Sequence, residues 1–107
     1  MAPAGARVTA RIFHITTLQV WEQQKAAGSY RHESLETEGF IHCSNEGQVE
    51  ATWRRIFGGE AGLVILEINV KQLTSEIRYE EGEPGEKFPH IYGPLNIDAV
   101  TSVTVLP

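Results

Sequence analysis

Apolar residues recur at two spacings along this chain, and each spacing predicts a different kind of element. Arg11-Ile12-Phe13-His14-Ile15-Thr16 reads as a strand. Successive side chains of a strand point to opposite faces, so Ile12, His14 and Thr16 share one face. Gly39-Phe40-Ile41-His42-Cys43-Ser44 reads the same way, with Phe40, His42 and Ser44 on one face and Ile41 and Cys43 on the other. Between them, Leu18, Trp21 and Lys25 fall at helical spacing, with Ala26 and Ala27 close by. Thr16 is placed to cap that helix, Gln19 completes a capping box, and Gly28 is the expected stop. Residues 29–38 are polar and read as a loop. A second helix is expected to start at Ser44 or Asn45, with Gln48 completing its box. Val49, Trp53, Ile56 and Phe57 form its expected buried stripe, so Trp53 should be well buried. Gly58-Gly59 ends it.

Gly62 to Val70 is the most apolar segment, and its β-branched residues predict a central strand. Residues 71–87 are rich in glutamate and turn formers, with a short strand expected near Glu76-Ile77-Arg78-Tyr79. Phe88-Pro89-His90-Ile91-Tyr92-Gly93-Pro94-Leu95 reads as a rigid loop that presents His90 and Tyr92. Ala99 to Leu106 is a last strand. Helices are thus expected only in the N-terminal half, two short ones, which predicts an α+β fold rather than a doubly wound parallel sheet. Residues 1–10 read as a flexible leader and 11–107 as a single domain.

Length and charge narrow the function classes. A chain of 107 residues makes one domain with a real core. Its net charge of −5 argues against a general nucleic-acid binder, which needs a basic footprint. One cysteine, Cys43, excludes an intrachain disulfide and fits a reducing cytoplasm. Leu63-Val64-Ile65-Leu66 is the longest apolar run, far short of the ~20 residues of a membrane helix. The N-terminal residues carry no secretion pattern, so the cytoplasm is the expected location.

The candidate chemistry is that of histidine and hydroxyl groups. Each of the two early strands carries a histidine two residues before a hydroxyl, His14 with Thr16 and His42 with Ser44. His14 and His42 are therefore expected to enter one cleft. With His90 and Tyr92, these residues are the candidate ligand-binding set. Imidazole titrates near ~6.5, which suits proton transfer or hydrogen bonding to a sugar or phosphate. His14, His42 and His90 are the catalytic candidates. The same three histidines are also the candidates for a catalytic zinc site, but they lack a local ligand spacing, so no metal is expected. Cys43 is expected to be buried as a small hydrophobe. Glu67, inside an apolar strand, is either a catalytic carboxylate or, as favoured, the partner of an arginine such as Arg54, Arg55 or Arg78.

Ile12-Phe13-His14-Ile15-Thr16, Trp21, Gly28, Leu35, Gly39-Phe40-Ile41-His42-Cys43-Ser44, Leu63-Val64-Ile65-Leu66-Glu67-Ile68 and Phe88 to Leu95 together resemble domain-of-unknown-function family 952. The resemblance covers about residues 11–106. It implies a small bacterial-type cytoplasmic domain with no established activity. It also implies a fold similar to the ADP-ribosyltransferase fold, a small split β-sheet that grips NAD in a cleft. Within that superfamily the histidine strands look like those of the RNA 2′-phosphotransferases. On that analogy His14 binds a ribose, and Ser44 with His42 forms the second strand's contribution. The late-strand glutamate that orients the acceptor in ADP-ribosyltransferases has no counterpart here in a matching motif. Two readings stand: a cleft that binds or acts on NAD or another nucleotide or ribose ligand, and a non-catalytic binding or protein-interaction module. A histidine-based metal-dependent hydrolase is a third, weaker one.

Overall fold

The two histidine-bearing strands meet at the seam between two small antiparallel sheets. This is seen in a computed structural model that describes residues 10–107. The leader expected over residues 1–10 lies outside the described residues except for Ala10, whose carbonyl accepts a hydrogen bond from Val70 N. The strands are β1 (Arg11–Thr17), β2 (Ser29–Tyr30), β3 (Ile41–His42), β4 (Leu63–Asn69), β5 (Glu76–Glu83), β6 (Glu86–Tyr92), β7 (Leu95–Asn96) and β8 (Val100–Val105). The α-helices are α1 (Leu18–Gln24), α2 (Ser34–Thr37) and α3 (Val49–Phe57). Beyond α3 only single 3-10 turns interrupt the strands, which is the α+β arrangement that the patterning predicts.

One sheet has the order β1-β4-β8 and another the order β3-β6-β5, with β2 and β7 forming a small pair. β4 is central, as its apolar run predicts: Leu63, Val64, Leu66 and Ile68 are fully buried. It pairs with β1 over seven positions, from Arg11 opposite Asn69 to Thr17 opposite Leu63. The two larger sheets join edge to edge. Phe13 of β1 and Ser44, just past β3, exchange both backbone hydrogen bonds, at 2.7 and 2.8 Å. The main core lies at this junction, where Ile12, Trp21, Tyr30, Ile41, Leu66 and Ile91 pack together. Among the described residues, no helix is long and apolar enough to cross a membrane.

Several local expectations need correction. Thr17, not Thr16, caps α1: its side chain accepts from Val20 N at 3.1 Å. The strand runs one residue further than its pattern indicates, and Thr16 is buried on the strand instead. Thr17→Ala should therefore cost about 1 kcal/mol in a urea melt. Gly28, at φ 85°, ends the helical segment as expected. Residues 29–38 are not a plain loop but contain β2 and α2. Strand β3 is only Ile41–His42, and Ser44 joins the sheet through an isolated bridge.

The segment expected to be a rigid loop around His90 is β6, the middle strand of its sheet. The N–H and C=O of a strand residue point the same way. Pro89 directs its carbonyl to Cys43 N, at 3.0 Å. Its missing N–H thus falls on the side of the two-residue strand β3, where little ladder is lost. The helix expected after Asn45 begins at Val49, although Gln48 Oε1 does accept from Asn45 N at 3.0 Å. No residue of α3 is fully buried: Trp53 is half-buried and Ile56 is 58% exposed.

Candidate functional site

Where the two sheets diverge from the Phe13–Ser44 seam, a cavity of about 340 Å³ opens. β1 contributes Phe13, His14 and Ile15, and β3 with the stretch after it contributes His42, Cys43 and Ser44. Helix α3 closes the far side with Thr52, Arg55, Ile56 and Phe57. Ile56 is exposed because its helix face looks into this opening rather than onto a packed core. β5 and β6 add Gly82, Glu83, Phe88 and His90, and His32 enters from the segment before α2. All four histidines of the chain thus line one cavity.

The four histidines differ in what they can offer a ligand. His14 is 3% exposed and both its ring nitrogens are engaged by the protein. Nδ1 lies 2.7 Å from the His42 carbonyl and Nε2 lies 2.9 Å from the Tyr30 hydroxyl. Burial is the main cause that pushes its pKa down to about 3, so the ring is neutral. A neutral ring that donates from Nδ1 needs a donor at Nε2. Tyr30 therefore donates to His14, and Thr16 Oγ1, 2.8 Å from the Tyr30 hydroxyl, donates to Tyr30. Thr16 is thus part of the scaffold behind the cavity and not of its lining. His14 has no free nitrogen for a ribose, contrary to the role the resemblance implied.

His32 Nδ1 accepts from Ser34 N at 3.0 Å and contacts its hydroxyl at 2.9 Å. Burial is again the largest cause, and it lowers this pKa. Neutral His32 consequently carries its proton on Nε2, as a donor. His42 is about half exposed, and its Nε2 meets both oxygens of Glu38 at 3.0 and 3.1 Å. His90 is 4% exposed. Its Nδ1 donates to Glu80 Oε1 at 2.8 Å, and the Tyr92 hydroxyl donates to the same oxygen at 2.6 Å. Those two hydrogen bonds, the Tyr92 one first, hold the Glu80 carboxyl below its usual range. Tyr92 acts behind the cavity wall, and its ring lies 4.3 Å below the Arg78 guanidinium. The rings of His42 and His90 are 5.4 Å apart, and Phe40 stacks on His90 at 4.0 Å. Ser44 Oγ donates to Thr52 Oγ1 at 3.1 Å, so two hydroxyls stand together on the wall. As expected, His14 and His42 reach one cleft, though they meet through the His42 backbone carbonyl rather than ring to ring.

Residues 15–103 match the family described as "Protein of unknown function (DUF952)". The chain belongs to this family. No curated protein matches it. The DUF952 domain is similar to the crystal structure of CC0527 from Caulobacter crescentus, with 32% identity and a TM-score of 0.82 over 91% of this chain and 86% of that one. The solution NMR structure of CC0527 matches with 32% identity and a TM-score of 0.77, covering 90% of this chain and 84% of that one.

Three contributors to the DUF952 cavity were not evident from the sequence. Arg55, among the described residues the sole arginine or lysine on the lining, reaches Glu83 at 3.8 Å, a loose pair across the mouth. His32 sits in a polar stretch, where a histidine reads as solvated. Gly82 lies so near Phe88 that an added Cβ would come within 2.8 Å of its ring. Two other candidates take no part in the chemistry: Glu67 lies off the lining, and Cys43 only forms part of the wall. Glu67 meets Arg11 at 3.0 Å, a different arginine from those expected, while Arg11 also holds Glu46 at 2.9 Å. Cys43 is fully buried, as expected, and burial raises its thiol pKa well above the usual range, so it is no nucleophile at neutral pH. Among the described residues, no group of three or more His, Cys, Asp or Glu side chains is placed to hold a metal.

Proposed function

We propose that the cavity binds one nucleoside or nucleotide unit, such as a half of NAD, and does so without transferring it. The observation that carries this reading is the convergence of all four histidines on one cavity with the Ser44 and Thr52 hydroxyls, Arg55 and aromatic walls. Its volume of about 340 Å³ lies near the lower end of small-molecule sites, which run from roughly 300 to 1,000 Å³. That suits a ring and its sugar better than a whole dinucleotide. Phe13, Phe57 and Phe88 supply an apolar slot for a base. Arg55 sits where a single phosphate can form a charge-assisted pair beside the Arg55–Glu83 contact. With His14 neutral and Glu38, Glu80 and Glu83 close by, a polyphosphate is a poor fit.

The seam and split of the two sheets support an ADP-ribosyltransferase-like architecture as our reading of the fold. The chemistry supports binding over transfer, because each carboxylate near the cavity is engaged: Glu38 by His42, Glu80 by His90 and Tyr92, and Glu83 by Arg55. None is left to orient an acceptor. The single buried cysteine favours a reducing cytoplasm for this activity.

Titration of NAD, adenosine monophosphate, adenosine and sulfate by calorimetry and thermal shift tests the reading. Adenosine monophosphate should bind more tightly than sulfate and, at 100 times its Kd, add roughly 2.7 kcal/mol of stability. Arg55→Ala should weaken the monophosphate and leave adenosine unchanged. NAD should release no nicotinamide. Equal, millimolar or weaker responses to all four ligands would remove the nucleotide reading, and enzyme-dependent nicotinamide release would replace binding with transfer.

A further inference from the structure

We propose that His90, held from behind by Glu80, accepts a hydrogen bond from a ligand hydroxyl and makes the cavity selective for a ribose over its deoxy forms. The inference rests on the reading of the cavity as a nucleoside site and specifies what that site must recognise. His90 lies on β6, 4% exposed, with Nδ1 committed to Glu80 at 2.8 Å. In the neutral form of the ring the proton is therefore on Nδ1, which leaves the lone pair on Nε2. Among the described residues Nε2 has no hydrogen-bond partner, although the ring lines the cavity. A buried acceptor left unpaired costs about 1–3 kcal/mol, so an occupant that supplies the missing donor is favoured by that difference.

The surroundings decide what kind of donor fits. Glu80 and Glu83 place negative charge on this side, which disfavours an anionic group deep in the cavity. Phe40 stacked on His90 at 4.0 Å and Phe88 beside it leave an apolar frame around the nitrogen. A neutral hydroxyl satisfies Nε2 without importing charge. His32 supplies the complement: its Nδ1 is filled by Ser34 N, so its Nε2–H is the donor available to an oxygen on the same ligand. One lining histidine that accepts and one that donates offer complementary partners to the hydroxyls of a ribose, each able to do both. A site built on such a bond rejects the analogue lacking the hydroxyl because its own buried group is then unpaired.

Adenosine, 2′-deoxyadenosine, 3′-deoxyadenosine and 2′,3′-dideoxyadenosine are the probes. Wild type should bind adenosine about 5- to 150-fold more tightly than the dideoxy compound, the factor that corresponds to one unsatisfied buried acceptor. One of the two monodeoxy compounds should account for most of the loss. His90→Phe keeps the stack on Phe40 and removes the nitrogen, so it should abolish the preference while still binding the dideoxy compound. The comparison of ligands on the wild-type protein stands even if that variant fails to fold. Glu80 is a positioning residue: Glu80→Ala should shrink the preference, and Glu80→Gln, which keeps an acceptor for Nδ1–H, should restore it. Imidazole ¹⁵N shifts of the free protein should show His90 protonated at Nδ1 and bare at Nε2. Equal affinity for adenosine and its dideoxy form, or a protonated Nε2, overturns the proposal. The first of these leaves the nucleoside reading intact, whereas failure of every nucleoside to bind removes that reading as well.

Discussion

Trp21→Ala should lower the free energy of unfolding by about 3–5 kcal/mol, while Trp53→Ala should cost about 1 kcal/mol. The two tryptophans are both helical and both sit on an apolar stripe, yet they meet different surroundings. Trp21 is 6% exposed and packs in the core within 6.3 Å of the Tyr30 ring, itself completely buried. Truncation there leaves a void bounded by β-sheet residues that cannot collapse into it. Trp53 is half-buried on α3, the helix that walls the cavity, and Arg54 lies 5.8 Å over its ring. Water and mobile side chains can fill the space it vacates. A domain of this size has about 5–15 kcal/mol to lose, so Trp21→Ala should leave it near its unfolding threshold at ordinary temperature. Urea melts with an unchanged m-value measure both losses directly. Equal losses would show that α3 carries as much core as α1 and would contradict the cavity-wall assignment.

What could be read from the sequence follows from how local each signal is. β1 and β4 are visible because their residues alternate or run apolar, and a sheet with one buried side imposes that pattern; β8 alternates as well, although its Val103 and Val105 are exposed. α1 is visible because a cap, a stripe and Gly28 agree, although the cap residue itself moved from Thr16 to Thr17. The Phe88 to Tyr92 segment misleads because Pro89 is read as a turn former. In the fold its missing donor faces the two-residue strand β3, where a proline costs little. The buried stripe of α3 misleads because helical periodicity reports an apolar face but not whether that face meets a core or a cavity. At the site, His14 and His42 are legible from their strand positions, and His90 from its constrained segment, although that segment reads as a loop and is a strand. Their division of labour is not legible. It depends on Tyr30 and Glu80, which lie far from the motif histidines they meet, and on Glu38, a polar-stretch residue just before one motif, each acting on one ring nitrogen. Arg55 and His32 are missed for the same reason: nothing local marks a charged helix residue or a loop histidine that tertiary packing turns toward a cavity.

Acid should weaken the folded state well before its carboxylates titrate, and His14 is the cause. The unfolded chain takes up a proton on this residue as the pH drops below 6.5, its ordinary pKa. The folded protein does not, because burial holds the ring neutral down to about 3. Between those values the unfolded state binds more protons, so the stability of the fold increases with pH across the window. At pH 7 the full stability is present, and it declines as the pH falls from 6.5 towards 3. One such group contributes a slope of about 1.4 kcal/mol per pH unit. His32, also lowered by burial, steepens the same decline. The carboxyls of Glu76 and Glu80 are held below their ordinary value of 4.5, so they add to it only in more acid solution. The interval from pH 4.5 to 6.5 therefore separates the histidine effect from the carboxylate effect. His14→Gln is the informative variant. Glutamine can donate to the His42 carbonyl and accept from Tyr30, as the neutral imidazole does, but it cannot titrate. Urea melts at half-unit steps across that interval should show a shallower slope in the variant, by about 1.4 kcal/mol per unit, whatever its stability at pH 7. Parallel slopes in the two proteins would mean that His14 reaches a proton source in the folded state, and that the Thr16–Tyr30–His14 chain is open to the cavity rather than sealed behind it.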